Sequence, residues 1–281
     1  MTNFLKIKFF FKKIFIESLN FNNFFNLTNK NALRIIMFHD TPEEYQDIYE
    51  RQIKFLISDG WKILDPKKFI KKKNEKKKFL GKNLVITFDD GLRSNKIFAE
   101  KLKKKFGVKS IFFVPYLFTR IKKRSEVKKF CLDKLKLKKN NYQKLNLNSV
   151  DLKDLIKKGH VIGSHTISHP NLKKINSLKI LKKEIIGSKR LLENLVKKKI
   201  NIFAFTYGTL KDISQTSIDI SLNNYDLIFS GIRGDNSKNN KILFRDEINN
   251  NYSNKMCRSF LNGNADFVYN LSRNKLMKMC Q

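Results

Sequence analysis

Short apolar runs that are rich in β-branched and aromatic residues recur along this chain, and helical stretches lie between them. Three of these runs are residues 33–38 (LRIIMF), 84–88 (LVITF) and 110–115 (SIFFVP). Runs of this length, bounded by turn residues, are typical of buried strands. Strands that alternate with helices indicate a parallel sheet with crossover helices. We therefore predict an α/β fold of about seven such units, whose sheet can close into a barrel.

The rest of the chain continues this alternation. Further strands are expected at residues 160–164, 201–206, 226–230 and 241–244. One helix should begin at a capping box of Thr41 and Glu44 and end at Gly60. Other helices are expected at residues 94–106, 149–159 and 176–199, the second with Ser149 as its cap. The Lys-rich stretch 116–148 shows no clear strand, and we interpret it as an insertion that can form helix.

The chain of 281 residues carries a formal net charge of +34. A charge of this size suggests a nucleic acid or an anionic membrane as a partner. However, the basic residues are spread along the whole chain and are mostly Lys, whereas proteins that read bases rely on Arg. Lys, Asn and Ile all have A/T-rich codons, so a biased genome can produce this composition. We interpret the charge as compositional and expect no specific nucleic-acid partner.

Residues 1–30 form a basic, apolar N-terminal segment ahead of a domain predicted at residues 31–275. Lysines at positions 6, 8, 12 and 13 interrupt its apolar runs before they reach the length of a signal peptide or a membrane span. The segment can lie on a membrane surface as an amphipathic helix, which would give peripheral membrane association. The alternative is a helix that packs on the domain.

Cysteine usage bears on the compartment. Cys131, Cys257 and Cys280 form no C-x-x-C pair, and their number is odd. This argues against a disulfide framework and for a reducing compartment. Since no export signal is recognisable, we expect a cytoplasmic protein, located in part at the inner membrane surface.

Two adjacent carboxylates, Asp89 and Asp90, follow the strand at residues 84–88. In parallel α/β folds, ligands bind at the carboxyl ends of the strands. One carboxylate can bind a metal while its neighbour remains a general base, and Gly91 allows the sharp turn that this arrangement needs. The alternative is an ordinary Asp-Gly turn.

His165 and His169 follow another predicted strand and are two of only four histidines. In a helical turn, a spacing of four residues places both imidazoles on one face, which is a common arrangement of metal ligands. The alternative is a pair of surface histidines. Together with Asp90 they give a site of two His and one carboxylate with an open position, which is typical of catalytic metal sites. We predict a divalent metal here, with Zn²⁺ as the expected ion.

The motif TFDDG followed by HTISHP resembles the polysaccharide deacetylases of the NodB-homology family, which are also grouped as carbohydrate esterase family 4. The order of elements agrees over roughly residues 33–235. The resemblance implies a distorted (β/α) barrel with about seven strands, and a hydrolase that removes acetyl groups from N-acetylated sugars. It also implies that Asp89 is the catalytic base, that Asp90, His165 and His169 bind the metal, and that the Tyr207 N–H in FAFTYG binds the oxyanion.

The chain departs from the family pattern at two places. Family members often carry Arg and Pro in the third motif, where this chain has Ala204 and Thr206. We therefore predict that Arg245, which follows a late apolar strand, faces the site and pairs with Asp89. The alternative is a surface Arg beside acidic neighbours.

The second departure concerns the proton donor. The late catalytic His of the family is absent, because no His follows His169. We predict that His39, at the carboxyl end of the first strand, is the general acid or positions the substrate. His160 begins its strand and should lie at the opposite end of the barrel. The alternative for His39 is a hydrogen-bonded side chain that caps the strand end.

These expectations combine into one functional prediction. The protein is expected to be a metal-dependent hydrolase acting on an N-acetylated glycan in cell-surface polysaccharide biosynthesis. The alternative is a deacetylase-like glycan-binding or accessory protein with weak turnover.

Overall fold

A computed structural model of the protein describes residues 31–238 and 240–281. The N-terminal segment 1–30, with its predicted membrane-surface helix, lies outside the described residues. Within the described part, no helix combines the length and the hydrophobicity that crossing a bilayer requires.

The predicted parallel sheet is present, and all pairings between its named strands are parallel. The strands are β1 (Ala32–Phe38), β2 (Lys62–Ile63), β3 (Lys82–Phe88), β4 (Ile111–Val114), β5 (Val161–Ser164), β6 (Ile202–Ala204), β7 (Leu227–Phe229), β8 (Ile242–Leu243) and β9 (Asp246–Glu247). Their order in the sheet is β8-β7-β6-β5-β4-β3-β1-β9, and β2 also pairs with β3. The seven predicted strands are therefore confirmed, and β2 and β9 are additional two-residue strands.

Side chains of successive strand residues pack on opposite faces of the sheet. In β1, Leu33 and Ile35 belong to one apolar cluster, whereas Ile36 and Phe38 belong to another. The first cluster takes residues from six strands and fills the inside of the curled sheet. The second lies between the sheet and its helices. All seven residues of β1 are buried because both faces of the sheet are covered.

Helices connect the strands on the outside of the sheet. They are α1 (Gln46–Ser58), α2 (Pro66–Asn74), α3 (Arg93–Phe106), α4 (Arg124–Asp133), α5 (Ser149–Lys157), α6 (Leu178–Lys182), α7 (Ser188–Val196), α8 (Gln215–Leu222), α9 (Asn254–Leu261) and α10 (Asn270–Lys278). Residue Leu276 in α10 and Cys280 beyond it pack into the main core, so the packed domain continues past residue 275.

Two predicted helix starts are wrong. The Thr41 hydroxyl donates to Asn95 Oδ1 instead of capping a helix, and a short 3₁₀ turn, Glu43–Tyr45, precedes α1. Helix α5 is capped by Asn148 rather than Ser149, because Asn148 accepts from two backbone N–H groups. The error is one residue and does not change the position of the helix.

The predicted long helix 176–199 is shorter and is interrupted. Helices α6 and α7 are joined by a π-helical turn, Lys183–Gly187. Turns of this kind widen the helix locally and are frequent at functional sites. Here the wide turn carries Glu184, whose contacts are described below.

The two ends of the sheet, β8 and β9, are joined by the chain itself, since only Phe244 and Arg245 lie between them, and side chains reinforce this closure. Among the described residues, no strand pairing joins β8 to β9. Instead, the Asn236 side chain exchanges hydrogen bonds with the backbone of Phe244, while its own backbone N–H donates to Leu33 O in β1. On the other side, Arg34 of β1 forms a buried pair with Asp246 of β9 at 2.7 Å. The curled sheet thus has the shape of a distorted barrel.

Candidate active site

The two carboxylates after β3 are both buried and lie on a sharp turn. Asp90 and Gly91 have φ angles of +70° and +69°. Glycine adopts such angles freely, whereas they are uncommon for Asp. The predicted turn is confirmed, and it directs the adjacent carboxylates to different partners.

Asn95, in the first turn of α3, holds this turn against the end of β1. Its Nδ2 donates to Asp89 O at 3.0 Å and to His39 O at 2.8 Å, and its Oδ1 accepts from the Thr41 hydroxyl. The side chain is fully buried. Asn95 therefore fixes the spacing between the ends of β1 and β3, a role that no motif in the sequence indicates.

The two histidines after β5 converge, although not for the predicted reason. Residues 165–169 form no helix. Thr166 and His169 have φ angles of +67° and +55°, so the loop doubles back on itself. The ring centroids of His165 and His169 lie 5.0 Å apart. The expectation of a helical turn is wrong, while the expectation that the two imidazoles share one site is confirmed.

Glu184 holds this histidine loop from behind. Its Oε2 accepts from the N–H groups of Ile167 and Ser168, both at 2.9 Å, and its Oε1 accepts from the Ser168 hydroxyl at 2.8 Å. The residue is only 8% exposed. A buried carboxylate with three donors is a strong anchor, because hydrogen bonds to a charged acceptor are stronger than neutral ones.

Asp90, His165 and His169 form a cluster whose ligand atoms all lie within 4.8 Å of one another. His169 Nε2 lies 3.2 Å from Asp90 Oδ1, and His165 Nε2 lies 3.6 Å from it. Ligand atoms that bind one Zn²⁺ tetrahedrally at about 2.0–2.1 Å are about 3.3 Å apart. Asp90 Oδ1 is buried and has no hydrogen-bond partner among the described residues. The cluster therefore fits a divalent metal in both donor type and spacing.

Contacts behind the two rings orient them for this role. His165 Nδ1 donates to Ala204 O at 2.9 Å, which leaves Nε2 deprotonated in the neutral ring and available as a ligand. The His169 ring packs against Tyr207, with centroids 4.9 Å apart at 69°. Burial alone would raise the pKa of Asp90, but the His165 and His169 rings and the charge of His169 lower it well below the usual range. Asp90 is therefore poised as an anionic ligand.

Asp89 makes a different set of contacts. Its Oδ1 accepts a hydrogen bond of 2.7 Å from Arg245 Nη1, and both side chains are at most 2% exposed. Its Oδ2 lies 3.9 Å from His165 Nε2. The predicted pairing of Arg245 with Asp89 is confirmed. It leaves Oδ2 as the oxygen of Asp89 beside the cluster.

Tyr207 follows β6 and adopts a φ of +59°. Among the described residues, its backbone N–H has no acceptor, which is compatible with the oxyanion role that the family resemblance implies. The next residue, Gly208, has no room for a side chain, because a Cβ there would lie 2.4 Å from Gly231 N. Burial and the charge of Asp90 raise the pKa of the Tyr207 hydroxyl.

The remaining histidines occupy opposite ends of the sheet, as predicted. His39 lies directly after β1 on the same side as the cluster, with Nδ1 3.8 Å from Glu247 Oε1, and 43% of its side chain is exposed. His160 precedes β5, is buried, and accepts from the Ser110 N–H through Nδ1. Burial lowers the pKa of His160 to about 4. It cannot take part in chemistry at the far end of the barrel.

Comparison with known proteins agrees with this geometry. The family model for polysaccharide deacetylases matches residues 76–221, which is more than half of the chain. The chain belongs to the polysaccharide deacetylase family. It is 26% identical over 206 residues to YxkH of Bacillus subtilis (strain 168). YxkH is provisionally named a polysaccharide deacetylase. The match covers 69% of the present chain and 66% of YxkH, slightly less than two thirds of that relative.

Solved structures show that this family member shares its fold with other deacetylases. The deacetylase PplD of Streptococcus pyogenes, solved in complex with acetate, superposes with a TM-score of 0.66 at 20% identity, over 83% of this chain and 99% of PplD. IcaB of Ammonifex degensii superposes with a TM-score of 0.65 at 17% identity, over 83% of this chain and 97% of IcaB. At these identities the likeness concerns the fold.

Proposed function

We propose that this protein is a metal-dependent deacetylase that hydrolyses the acetyl groups of N-acetylated sugars in a glycan. The proposal depends on one observation, which is that two neighbouring carboxylates make different contacts. Asp90 completes a cluster with His165 and His169, while Asp89 is held by Arg245 with Oδ2 beside that cluster. A metal site next to a separate base is the arrangement that metal-assisted hydrolysis of an amide uses.

The residues of the chain have distinct roles in this reaction. A divalent metal bound by Asp90 and the two histidines would supply Lewis-acid activation of the acetyl carbonyl and of water. Asp89 Oδ2 accepts the proton that the attacking water loses, and Arg245 keeps the carboxylate in position through Oδ1. The Tyr207 N–H donates to the oxyanion of the tetrahedral intermediate. The leaving amine then needs a proton, for which His39 is the candidate.

Zn²⁺ is the ion that we propose for this site. Two imidazoles and one carboxylate with an open position are a ligand set of catalytic zinc enzymes. The separations of 3.2 Å and 3.6 Å from Asp90 Oδ1 to the two Nε2 atoms are short enough for the three side chains to share one ion. Elemental analysis of the purified protein would identify the ion.

We also propose that the reaction takes place in the cytoplasm, at the inner membrane surface, as a step in building a cell-surface glycan. All three cysteines are buried free thiols, which supports a reducing compartment. The basic N-terminal segment 1–30 supports contact with anionic lipid. Cell fractionation with and without residues 1–30 tests this assignment.

The decisive experiment compares Asp89→Asn with Asp90→Asn, which make the same chemical change at adjacent positions. Both are assayed for metal content and for acetate release from a panel of N-acetylated oligosaccharides. We expect Asp89→Asn to keep the metal and to lose about 10²–10⁴-fold in rate. Asp90→Asn should lose the metal together with activity. Full metal content in Asp90→Asn, His165→Ala and His169→Ala would refute the metal assignment.

A second candidate function is a glycan-binding accessory protein with little turnover. The observation that favours it is the absence of any His after His169. Under this alternative, N-acetylated oligosaccharides bind to the metal-loaded protein, yet no acetate is released at any pH.

A further inference from the structure

The Lys-rich insertion is a folded unit that covers part of the candidate site. Residues 116–148 contain eleven Lys or Arg residues and only two acidic ones. The insertion has its own apolar cluster, formed by Leu92, Phe118, Val127, Phe130, Cys131 and Tyr142. Leu92 belongs to the turn that follows Asp89 and Asp90, so the insertion packs directly on the catalytic turn. Backbone hydrogen bonds reinforce this contact, from Arg93 N to Leu145 O and from Leu147 N to Gly91 O.

Residues 134–139 of the insertion, which we call the strap, contact two sides of the site. At one end, the Tyr207 hydroxyl donates to Lys134 O at 2.7 Å. At the other end, Lys139 Nζ lies 2.5 Å from Asp40 Oδ2. Asp40 is itself held by Ser94, whose hydroxyl donates to Oδ1 at 2.6 Å. The strap is therefore fixed at both ends.

The order of the strands shows which strands lie between the two contacts of the strap. Tyr207 follows β6 and Asp40 follows β1, and the sheet order between them is β5, β4, β3. The strap itself is not extended, because Lys136 has a φ of +56° and Leu137 N donates to Cys131 O. The long side chains of Tyr207 and Lys139 therefore supply part of the reach. The strap thus contacts the rim of the site on either side of the strands that carry Asp90 and His165.

The strap presents cationic groups whose charge is not neutralised. Leu135 and Leu137 pack on the apolar cluster of the insertion. Between and beside them, Lys134, Lys136 and Lys138 have no carboxylate within 4.0 Å among the described residues. Among the acids of the same rim, Asp40 contacts Lys139, Asp212 contacts Asn171, and Glu247 lies near His39. Asp133, directly before the strap, forms no ion pair among the described residues, and its backbone carbonyl accepts from Lys136 Nζ at 2.8 Å.

We propose that the strap forms one wall of the substrate groove and that Lys134, Lys136 and Lys138 bind anionic groups of the glycan. The preferred substrate is then an N-acetylated glycan that also carries carboxylate or phosphate groups. This proposal rests on the deacetylase function proposed above. It also gives part of the positive charge of the chain a function, beyond the interpretation of that charge as an effect of biased composition.

The test uses two oligosaccharides of equal length. One is a tetramer of N-acetylglucosamine, which is neutral, and the other alternates N-acetylglucosamine with glucuronic acid, which is anionic. Acetate release is measured, and binding is measured by titration calorimetry, each at about 20 and about 300 mM NaCl. The higher salt concentration screens interactions between exposed charges much more strongly than the lower one. The triple variant Lys134→Gln, Lys136→Gln, Lys138→Gln is compared with a control, Lys103→Gln, Lys104→Gln, Lys198→Gln. The control removes three lysines near the amino ends of the strands.

We expect the wild-type protein to bind the anionic tetrasaccharide more tightly than the neutral one, and the difference to shrink at high salt. Three exposed ionic contacts together correspond to about a tenfold preference. The strap variant should lose this preference and the control should keep it. Equal affinity for both oligosaccharides, or an equal loss in the control, would overturn the proposal. If the wild type prefers the anionic oligosaccharide, the strap variant does not, and neither releases acetate, the proposed deacetylase function is refuted. The proposed specificity for anionic glycans is then still supported.

Discussion

Arg245 and Asp89 are 156 positions apart in the sequence, and Arg245 Nη1 donates a 2.7 Å hydrogen bond to Asp89 Oδ1. Arg245 also donates through Nε to Ser230 O at 2.8 Å, so its guanidinium is fixed from two sides. Both members of the pair are buried, and neither can exchange its partner for bulk water. Oδ1 of Asp89, the proposed base, is therefore held by Arg245, whereas Oδ2 remains available to accept a proton.

Arg245→Met should damage both the fold and the reaction. Removing one partner of a buried ion pair leaves an uncompensated charge, and we expect the free energy of unfolding to fall by about 3–5 kcal/mol. Arg258→Met is the control, because Arg258 pairs with Asp59 at a half-exposed position. That change should cost about 1 kcal/mol or less. Urea denaturation measures both.

The double variant Arg245→Met, Asp89→Asn distinguishes loss of pairing from loss of packing. Since it removes both charges, it should recover much of the stability lost in Arg245→Met while remaining inactive. Equal instability of the single and double variants would mean that packing of the Arg245 side chain, and not its charge, is what matters.

Glu184 should control metal affinity without touching the metal. Glu184→Ala removes the acceptor of three hydrogen bonds from the histidine loop. Loss of a group that orients metal ligands typically lowers metal affinity by about 10–100-fold. Glu184→Gln retains a carbonyl oxygen for the two backbone donors and should recover most of that affinity. Competition with a chromophoric chelator measures the dissociation constant.

The control for Glu184 lies in α7. Glu193 accepts a backbone hydrogen bond from Ile200 N at 3.0 Å and, among the described residues, makes no hydrogen bond with the histidine loop. Glu193→Ala should therefore lower stability and leave metal affinity unchanged. Wild-type metal affinity in Glu184→Ala would show that the loop keeps its shape unaided.

The contrast between Arg245 and Glu184 shows how far the sequence alone predicts this site. Arg245 was predictable because it follows an apolar strand, and strand ends converge on one face of a parallel sheet. Glu184 lies in the middle of an apparent helix, where Glu is ordinary, and only the π-helical turn and the fold of residues 165–169 bring it to the loop. Asn95 was missed for a similar reason, since its partners belong to two different loops.

Short elements limited the prediction of the fold. The runs at β1 and β3 have seven residues each, and their apolar pattern predicted them. Strands β2 and β9 have two residues each, too few to show any periodicity. They form because neighbouring β3 and β1 offer free backbone groups, which is a tertiary effect.

His160 should make stability depend on pH. Burial, aided by the charge of Lys103, lowers its pKa from 6.5 to about 4. Below pH 6.5 the unfolded chain binds a proton that the folded protein does not, so stability falls as the pH drops towards 4. The full shift corresponds to about 3 kcal/mol. His160→Gln, which can still accept from Ser110 N–H, should lose less stability than the wild type between pH 7 and pH 4.

Urea denaturation at a series of pH values measures this effect. The relevant quantity is the difference between His160→Gln and the wild type, because other groups titrate equally in both. Parallel curves for the two proteins over this range would show that His160 is accessible to protons in the folded state.

His39 should determine the alkaline side of the pH–rate profile. The amine that leaves in deacetylation departs poorly unless it is protonated, and His is the side chain that best donates a proton near neutrality. His165 and His169 belong to the metal cluster, and His160 is buried at the opposite end of the sheet. His39 lies on the catalytic side, half-exposed, and its backbone carbonyl is tied to Asp89 through Asn95.

The decisive comparison is the pH dependence of kcat for His39→Ala and His160→Gln, each at full metal occupancy. If His39 is the acid, activity in the wild type falls at alkaline pH as the imidazole loses its proton, and His39→Ala loses that limb together with about 10²–10⁴-fold in rate. His160→Gln should keep the wild-type profile, because its ring cannot reach the substrate. Unchanged turnover and an unchanged alkaline limb in His39→Ala would exclude this role and point to water or the substrate itself as the proton source. A rise in KM at unchanged kcat would instead make His39 a substrate-positioning group, consistent with its exposure beside Glu247.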